Sequence, residues 1–257
     1  MQAIITEAIA ERHCYLVYQP QFGLGDGELK GFEALVRCQS PHFGLISPAD
    51  FIPFAEESGD IVELGRWITR QAIHDLAKMR KHSGMPLYMS INVSPRQVQA
   101  GDIYETFMKA LMDLNVPPQA VKLELTETAL IQNPGLIART FKAFQGDGIK
   151  IWLDDFGTGF ASLNLLREFK IDGLKIDKSF VDGLHSSEDD FTICSAILAM
   201  AQRLGLSTVA EGVESDPQLQ ILSQLGCDSV QGYLTGKPAT LEDCSQFWNP
   251  ASKKQCA

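Results

Sequence analysis

What the chain lacks narrows its function first. No run of 18 apolar residues occurs anywhere in its 257 residues, so no membrane-spanning helix is encoded. The opening MQAIITEAIAERH has no cationic start followed by an apolar run and does not read as a secretory signal. Residues 1–13 read instead as a helix, one that can continue from an upstream domain. The six cysteines, at 14, 38, 194, 227, 244 and 256, form no C-x-x-C pair and no His-rich metal spacing. They read as buried or free thiols in a reducing cytoplasm, although the parent protein can still be membrane-anchored. There is no low-complexity tract, no charge block and no Pro/Ser-rich linker, so 1–257 reads as one domain. Positive charge is scarce too: 22 Lys and Arg face 32 Asp and Glu, a formal net charge of −10. That argues against polymeric nucleic acid held by phosphate neutralisation. A small anionic ligand stays open, provided a cation stands between ligand and protein.

What is present is alternation. Apolar residues make up 45% of the chain, enough for a large core. Short β-rich runs recur: CYLVYQPQF, LKGFEALVRC, LYMSINVS, VKLELTE, IKIWLDDF, GLKIDKSF, STVAEGV and SVQGYL. Helical patterns lie between most of them, such as DIVELGRWITRQAIHDLAKMRKHS and DDFTICSAILAMAQRLGL. This is βα-unit spacing, and eight such runs predict an α/β fold, a (β/α)8 TIM-like barrel. The first pair breaks the pattern. Only GLGDGELKG separates Gln21-Phe22 from Phe32-Glu33, too short for a crossover helix. The first strand is therefore expected antiparallel to the rest.

Polar residues collect near the strand ends, where barrel strands should be apolar. Glu33 and Arg37 fall on the second run, Asn92 ends the third, and Glu124 lies near the end of the fourth. Asp154 and Asp155 end the fifth, Lys175 and Asp177 fall on the sixth, Glu211 ends the seventh, and Gln231 is on the eighth. Alternation puts Glu33, Leu35 and Arg37 on one face, and Lys175 with Asp177 on another. Singly, each has an ordinary reading: a strand Glu as an ion-pair partner, Asp154-Asp155 as a helix cap, Lys175 as a structural ion pair. Together, acids and an Asn converging from separate strand ends would repel one another without a cation between them. An all-oxygen donor set with no histidine favours Mg²⁺ or Mn²⁺ over zinc.

At this point the chain resembles the EAL domain family over nearly its whole length. The resemblance runs from Tyr18-Gln19-Pro20 through Glu33-Ala34-Leu35-Val36-Arg37 and Phe51-Ile52-Pro53-Phe54-Ala55-Glu56-Glu57. It continues with Asn92-Val93-Ser94, Glu124-Leu125-Thr126-Glu127 and Asp154-Asp155-Phe156-Gly157-Thr158-Gly159-Phe160. Leu174-Lys175-Ile176-Asp177, Ala210-Glu211-Gly212-Val213-Glu214 and Gln231-Gly232-Tyr233 complete it. Two departures stand out: Cys38, where the family often has Trp, and Trp152, where a smaller residue is common.

The resemblance implies a phosphodiesterase that hydrolyses cyclic di-GMP to linear pGpG with two divalent ions, Mg²⁺ or Mn²⁺, and with Ca²⁺ inhibitory. Glu33, Asn92, Glu124 and Asp154 would hold the first ion. Asp154 would bridge to the second, held with Asp155, and Glu211 and Gln231 would act directly or through water. Lys175 would orient the attacking water or stabilise charge developing on phosphorus. Arg37 and the Leu35 backbone would position substrate, and Gln19 and Asp177 would touch a guanine or ribose. Glu211 has a competing role as general base. Glu127 is expected in the loop beyond its strand. There it would anchor the Phe156–Ser162 segment through loop amides or the Thr158 and Ser162 hydroxyls, with capping of the next turn as the alternative. The family also implies a homodimer and an attached regulatory domain. Rival readings are a non-catalytic cyclic di-GMP receptor and an unrelated metal-dependent barrel enzyme such as an aldolase.

Overall fold

The computed structural model describes residues 13–40, 44–157, 166 and 169–248. The expected N-terminal helix falls, but for His13, outside them. Among the described residues nine strands are formed: β1 (Cys14–Gly23), β2 (Leu29–Ser40), β3 (Gly44–Ile46), β4 (Tyr88–Asn92), β5 (Val121–Thr126), β6 (Lys150–Phe156), β7 (Gly173–Ile176), β8 (Ser207–Ala210) and β9 (Ser229–Val230). They follow the order β1-β9-β8-β7-β6-β5-β4-β2, and β1 pairs with β2 to close the ring. β1 runs antiparallel to both neighbours, and every other pairing within the ring is parallel. The barrel with one antiparallel strand is thus present as expected. β3 is an addition: three residues that pair antiparallel with the far end of β2, outside the ring.

The reversal between β1 and β2 follows from local chemistry. Phe22 pairs with Leu29, which leaves a short connection whose Gly27 takes φ +65°. After β3, β4, β5, β7 and β8 the chain turns into helix. Helix Ile61–Ser83 shows why: Leu64, Ile68, Ala72, Leu76 and Met79 recur on one stripe and are buried. Arg80, Lys81 and His82 in its last turn face the negative end of the helix dipole, and Gly84 stops it in the left-handed region. The strands' outward residues, among them Phe32, Ala34, Met89, Ile91, Leu123 and Leu153, form the core between ring and helices. Alternation leaves the other residue set to fill the ring itself. That set carries most of the polar residues singled out above.

Candidate metal centre

The carboxyl ends of the parallel strands bring the acids together. Glu33 comes from β2, Glu124 from β5, Asp154 from β6, and Glu211 from the first position after β8, where its N–H donates to Ile176 O. Lys175, on β7 and 1% exposed, stands among them. Its Nζ lies 3.2 Å from Glu33, 2.9 Å from Glu124, 3.0 Å from Asp154 and 2.8 Å from Glu211. Carboxylate oxygens of Glu33, Glu124 and Asp154 approach within 4.8 Å of one another, as do those of Asp154, Asp155 and Glu211. The two groups share Asp154.

Asp155 needs a local distortion to join. Neighbouring strand residues normally point to opposite faces. Here the β6–β7 register shifts between Leu153 and Phe156, and Asp155 adopts φ +53°. Asp tolerates the left-handed region better than most residues, at a cost of about 1 kcal/mol. The bend turns both aspartates toward one centre.

The electrostatics show a shortage of positive charge. Five acids face one lysine. Burial and then the competing pull of Lys175 and push of Glu33 and Asp154 leave the Glu124 carboxyl at about 7. Burial, Asp154 and Asp177 push Asp155 to about 6. Burial also drives Glu211 well above the ordinary carboxylate range, Lys175 opposing and Asp154 and Glu33 adding to it. Glu33 goes the other way: burial raises it, but Lys175 and hydrogen bonds from Gln231 and Asn92 outweigh that and hold it low. Lys175 stays firmly protonated, burial being overcome by Asp154, Glu124, Glu211 and Glu33. A cluster of hard oxygen donors of this kind could hold a metal ion.

The remaining residues singled out in the sequence take varied places. Asn92 Nδ2 donates to Glu33 Oε1 at 2.7 Å, and Gln231, one position past β9, donates to Glu33 Oε2 at 2.7 Å and to Gln19 Oε1 at 3.0 Å. Leu35 and Arg37 are half-buried on β2 beyond Glu33, and Arg37 Nη1 donates to the Val36 carbonyl at 2.9 Å. Asp177 differs from expectation. β7 ends at Ile176, and Asp177 instead caps helix Lys178–Asp182 by accepting from the Ser179 N–H at 3.0 Å. Glu127 likewise opens helix Glu127–Gln132 rather than lying in a loop. It is buried, and its Oε1 accepts from the Gly157 N–H at 2.7 Å, which ties the start of that helix to the end of β6. Thr158 and Ser162 lie outside the described residues.

Attention to strand ends missed the lower half of the ring. Gln21, Tyr88 and Lys122 stand two or four positions before Gln231's partner Gln19, Asn92 and Glu124 in the alternation, or after it in the antiparallel β1. Tyr88 OH donates to Gln21 Oε1 at 2.6 Å, and Gln21 Nε2 donates to Gln231 Oε1 at 2.6 Å. Lys122 Nζ lies 3.4 Å from the centre of the Tyr88 ring and 3.9 Å from that of Trp152. Extending the period-2 pattern down each strand was the signal that would have found them.

Comparison with known proteins agrees with this geometry. The family model of the EAL domain matches residues 2–238. The chain is 40% identical over 234 residues to the cyclic di-GMP phosphodiesterase PdeR of Escherichia coli (strain K12), covering 91% of this chain and 35% of that protein. It is 37% identical to the signaling protein YkoW of Bacillus subtilis (strain 168), covering 96% of this chain and 31% of that protein. It thus spans about a third of the length of these relatives. Among solved structures, the PaMucR phosphodiesterase in complex with c-di-GMP superposes with TM-score 0.88 at 34% identity, covering 94% of this chain and 98% of that one. The EAL enzyme Bd1971, in its form with cAMP and cyclic di-GMP bound, gives 0.92 at 31% identity, covering 96% and 68%. The order of the strands, the acids at their ends and the matched span all lead to one assignment: the chain belongs to the EAL domain family.

Proposed function

We propose that this chain is a metal-dependent phosphodiesterase that hydrolyses cyclic di-GMP to linear pGpG, one water adding across one P–O bond of the ring. The observation that carries this reading is the completeness of the carboxylate cluster around Lys175. Degenerate relatives that only bind the nucleotide would be expected to lack a ligand. Glu33, Asn92, Glu124, Asp154 and Asp155 would hold Mg²⁺ or Mn²⁺, with Glu211 and Gln231 beside them. Bound there, the ions would supply Lewis-acid activation of a water and neutralise phosphate oxygens, which also reconciles an acidic chain with an anionic substrate.

The protein's own groups have distinct tasks in this reading. Lys175, fixed by four carboxylates, is preorganised to meet charge developing on phosphorus. Arg37 offers a planar fork for two-point phosphate contact once it leaves the Val36 carbonyl. Glu211, 2.8 Å from Lys175 Nζ, is placed either to hold an ion or to take the proton of the attacking water. Gln19 and Leu35, on the first two strands, and Asp177, at the start of helix Lys178–Asp182, would meet the nucleotide.

Incubation with cyclic di-GMP and Mg²⁺, with products separated by chromatography, tests the proposal. pGpG should accumulate with Mg²⁺ or Mn²⁺, stop with chelator, and fall when Ca²⁺ is added, since Ca²⁺ takes longer bonds and more ligands. Tight binding without turnover would make the chain a receptor. Turnover in metal-free buffer would overturn the mechanism.

A further inference from the structure

The floor of the ring holds a hydrogen-bond chain that reaches the metal centre, and its direction is forced by its ends. The Glu33 carboxylate only accepts, so the Gln231 atom 2.7 Å from Oε2 is the amide nitrogen. Gln19 gives its own nitrogen to the Gly236 carbonyl at 3.2 Å, so it too presents oxygen to Gln231, at 3.0 Å. Gln231 must therefore turn Oε1 toward Gln21, and Gln21 must answer with Nε2, at 2.6 Å. That leaves the buried Gln21 Oε1 in need of a donor, which the Tyr88 hydroxyl supplies at 2.6 Å. Reversing any member would set donor against donor or acceptor against acceptor.

Tyr88 is itself held. A Cβ at Gly31 would come within 2.4 Å of Tyr88 O and 2.5 Å of its ring, so glycine makes room for it. Lys122, 8% exposed, lies with its Nζ over both the Tyr88 and Trp152 rings, and a Cβ at Gly173 would meet Trp152 at 2.6 Å. Two bulky rings, two glycines and the Lys122 amine between the rings form one fitted unit, in which burial lowers the lysine to about 7.

We infer that Tyr88 is a positioning residue for the metal centre: through Gln21 it fixes which end of the Gln231 amide faces Glu33. On this inference Gln231 serves Glu33 as an N–H donor and is not itself an ion ligand. Tyr88 and Gln21 then belong to the outer support of the ions, where loss of one partner costs about tenfold or more in metal affinity. The inference rests on the metal-dependent reading above.

The test is Mg²⁺ binding to substrate-free protein, followed by titration calorimetry, with Mn²⁺ followed by electron paramagnetic resonance. Tyr88→Phe keeps the ring under Lys122 and removes only the hydroxyl. It should weaken Mg²⁺ about tenfold while the protein still unfolds cooperatively on heating. Gln21→Met, which cuts the same chain one link on and carries the test should Tyr88→Phe fail to fold, should weaken Mg²⁺ similarly. The double variant should be no weaker than the worse single one, because both break a single chain. Wild-type affinity in either folded variant, or losses that simply add, would overturn the inference. A wild type that takes up neither ion overturns the metal reading itself, and the inference with it.

Discussion

Lys175 carries more opposed charge than any other side chain described in this fold. Its ammonium is within 3.2 Å of four carboxylates and is shielded from water. Lys175→Met keeps most of the stem and removes the charge, leaving Glu33, Glu124, Asp154 and Glu211 facing one another. Stripping one partner from a buried pair costs ~3–5 kcal/mol, so metal-free Lys175→Met should melt well below the wild type. Saturating Mg²⁺ should recover part of that loss, because a cation re-enters the cluster. Scanning calorimetry with and without Mg²⁺ reads this directly. The same variant should lose turnover far more than cyclic di-GMP affinity, as a group acting on the transition state does. Equal losses of both would make Lys175 a substrate clamp.

Among elements, the junction between β5, helix Glu127–Gln132 and β6 links the frame to the site. Glu127 accepts the Gly157 N–H directly after the strand that supplies Asp154 and Asp155. Glu127→Ala should leave the fold intact and raise the Mg²⁺ concentration for half-maximal hydrolysis by about tenfold or more, the cost of losing a group that supports metal ligands. Unchanged kinetics at every Mg²⁺ concentration would reduce Glu127 to a helix-start residue. The elements differ in how far the sequence disclosed them. The parallel strands were legible because Val, Ile and Leu alternate with polar residues, and the β1–β2 reversal because so few residues connect the two. β3 was not, since Gly44-Leu45-Ile46 has no alternation and exists only by pairing with the edge of β2. Asp177 and Glu127 were displaced by one element because helix starts follow the strands immediately. The rim acids were legible as charges on apolar strands. Gln21, Tyr88 and Lys122 were not, because neutral or isolated polar residues low on a strand give no sign of their partners on distant strands.

For the molecule as a whole, the site makes stability depend on pH in a way metal should reverse. Glu124 sits at about 7 instead of 4.5, and Asp155 at about 6 instead of 3.8. Between those values the folded chain keeps protons that the unfolded chain has lost. These groups therefore favour folding at the acid end of the window and oppose it as pH rises through the folded values. Divalent ions compete with the same protons. The rise in melting temperature on adding Mg²⁺ should be small near pH 4.5 and grow toward pH 7, as thermal scans across that range would show. A rise that is independent of pH would separate the ion from these carboxylates.

The seam where β1 meets β9 has a consequence for how the protein is made. Phe22 pairs with Val230, and Glu33 receives its donor from Gln231, 198 residues further on. A chain emerging from the ribosome can form βα units in turn, but it cannot shut the ring until its last strand arrives. Such distant pairings slow folding and leave strand edges open meanwhile. Through that interval Glu33 would have Asn92 and Lys175 as partners but not Gln231. The Gln231 donor to Glu33 therefore arrives late in synthesis, with ring closure, and a chain stopped short of Gln231 lacks both that hydrogen bond and the β1–β9 pairing.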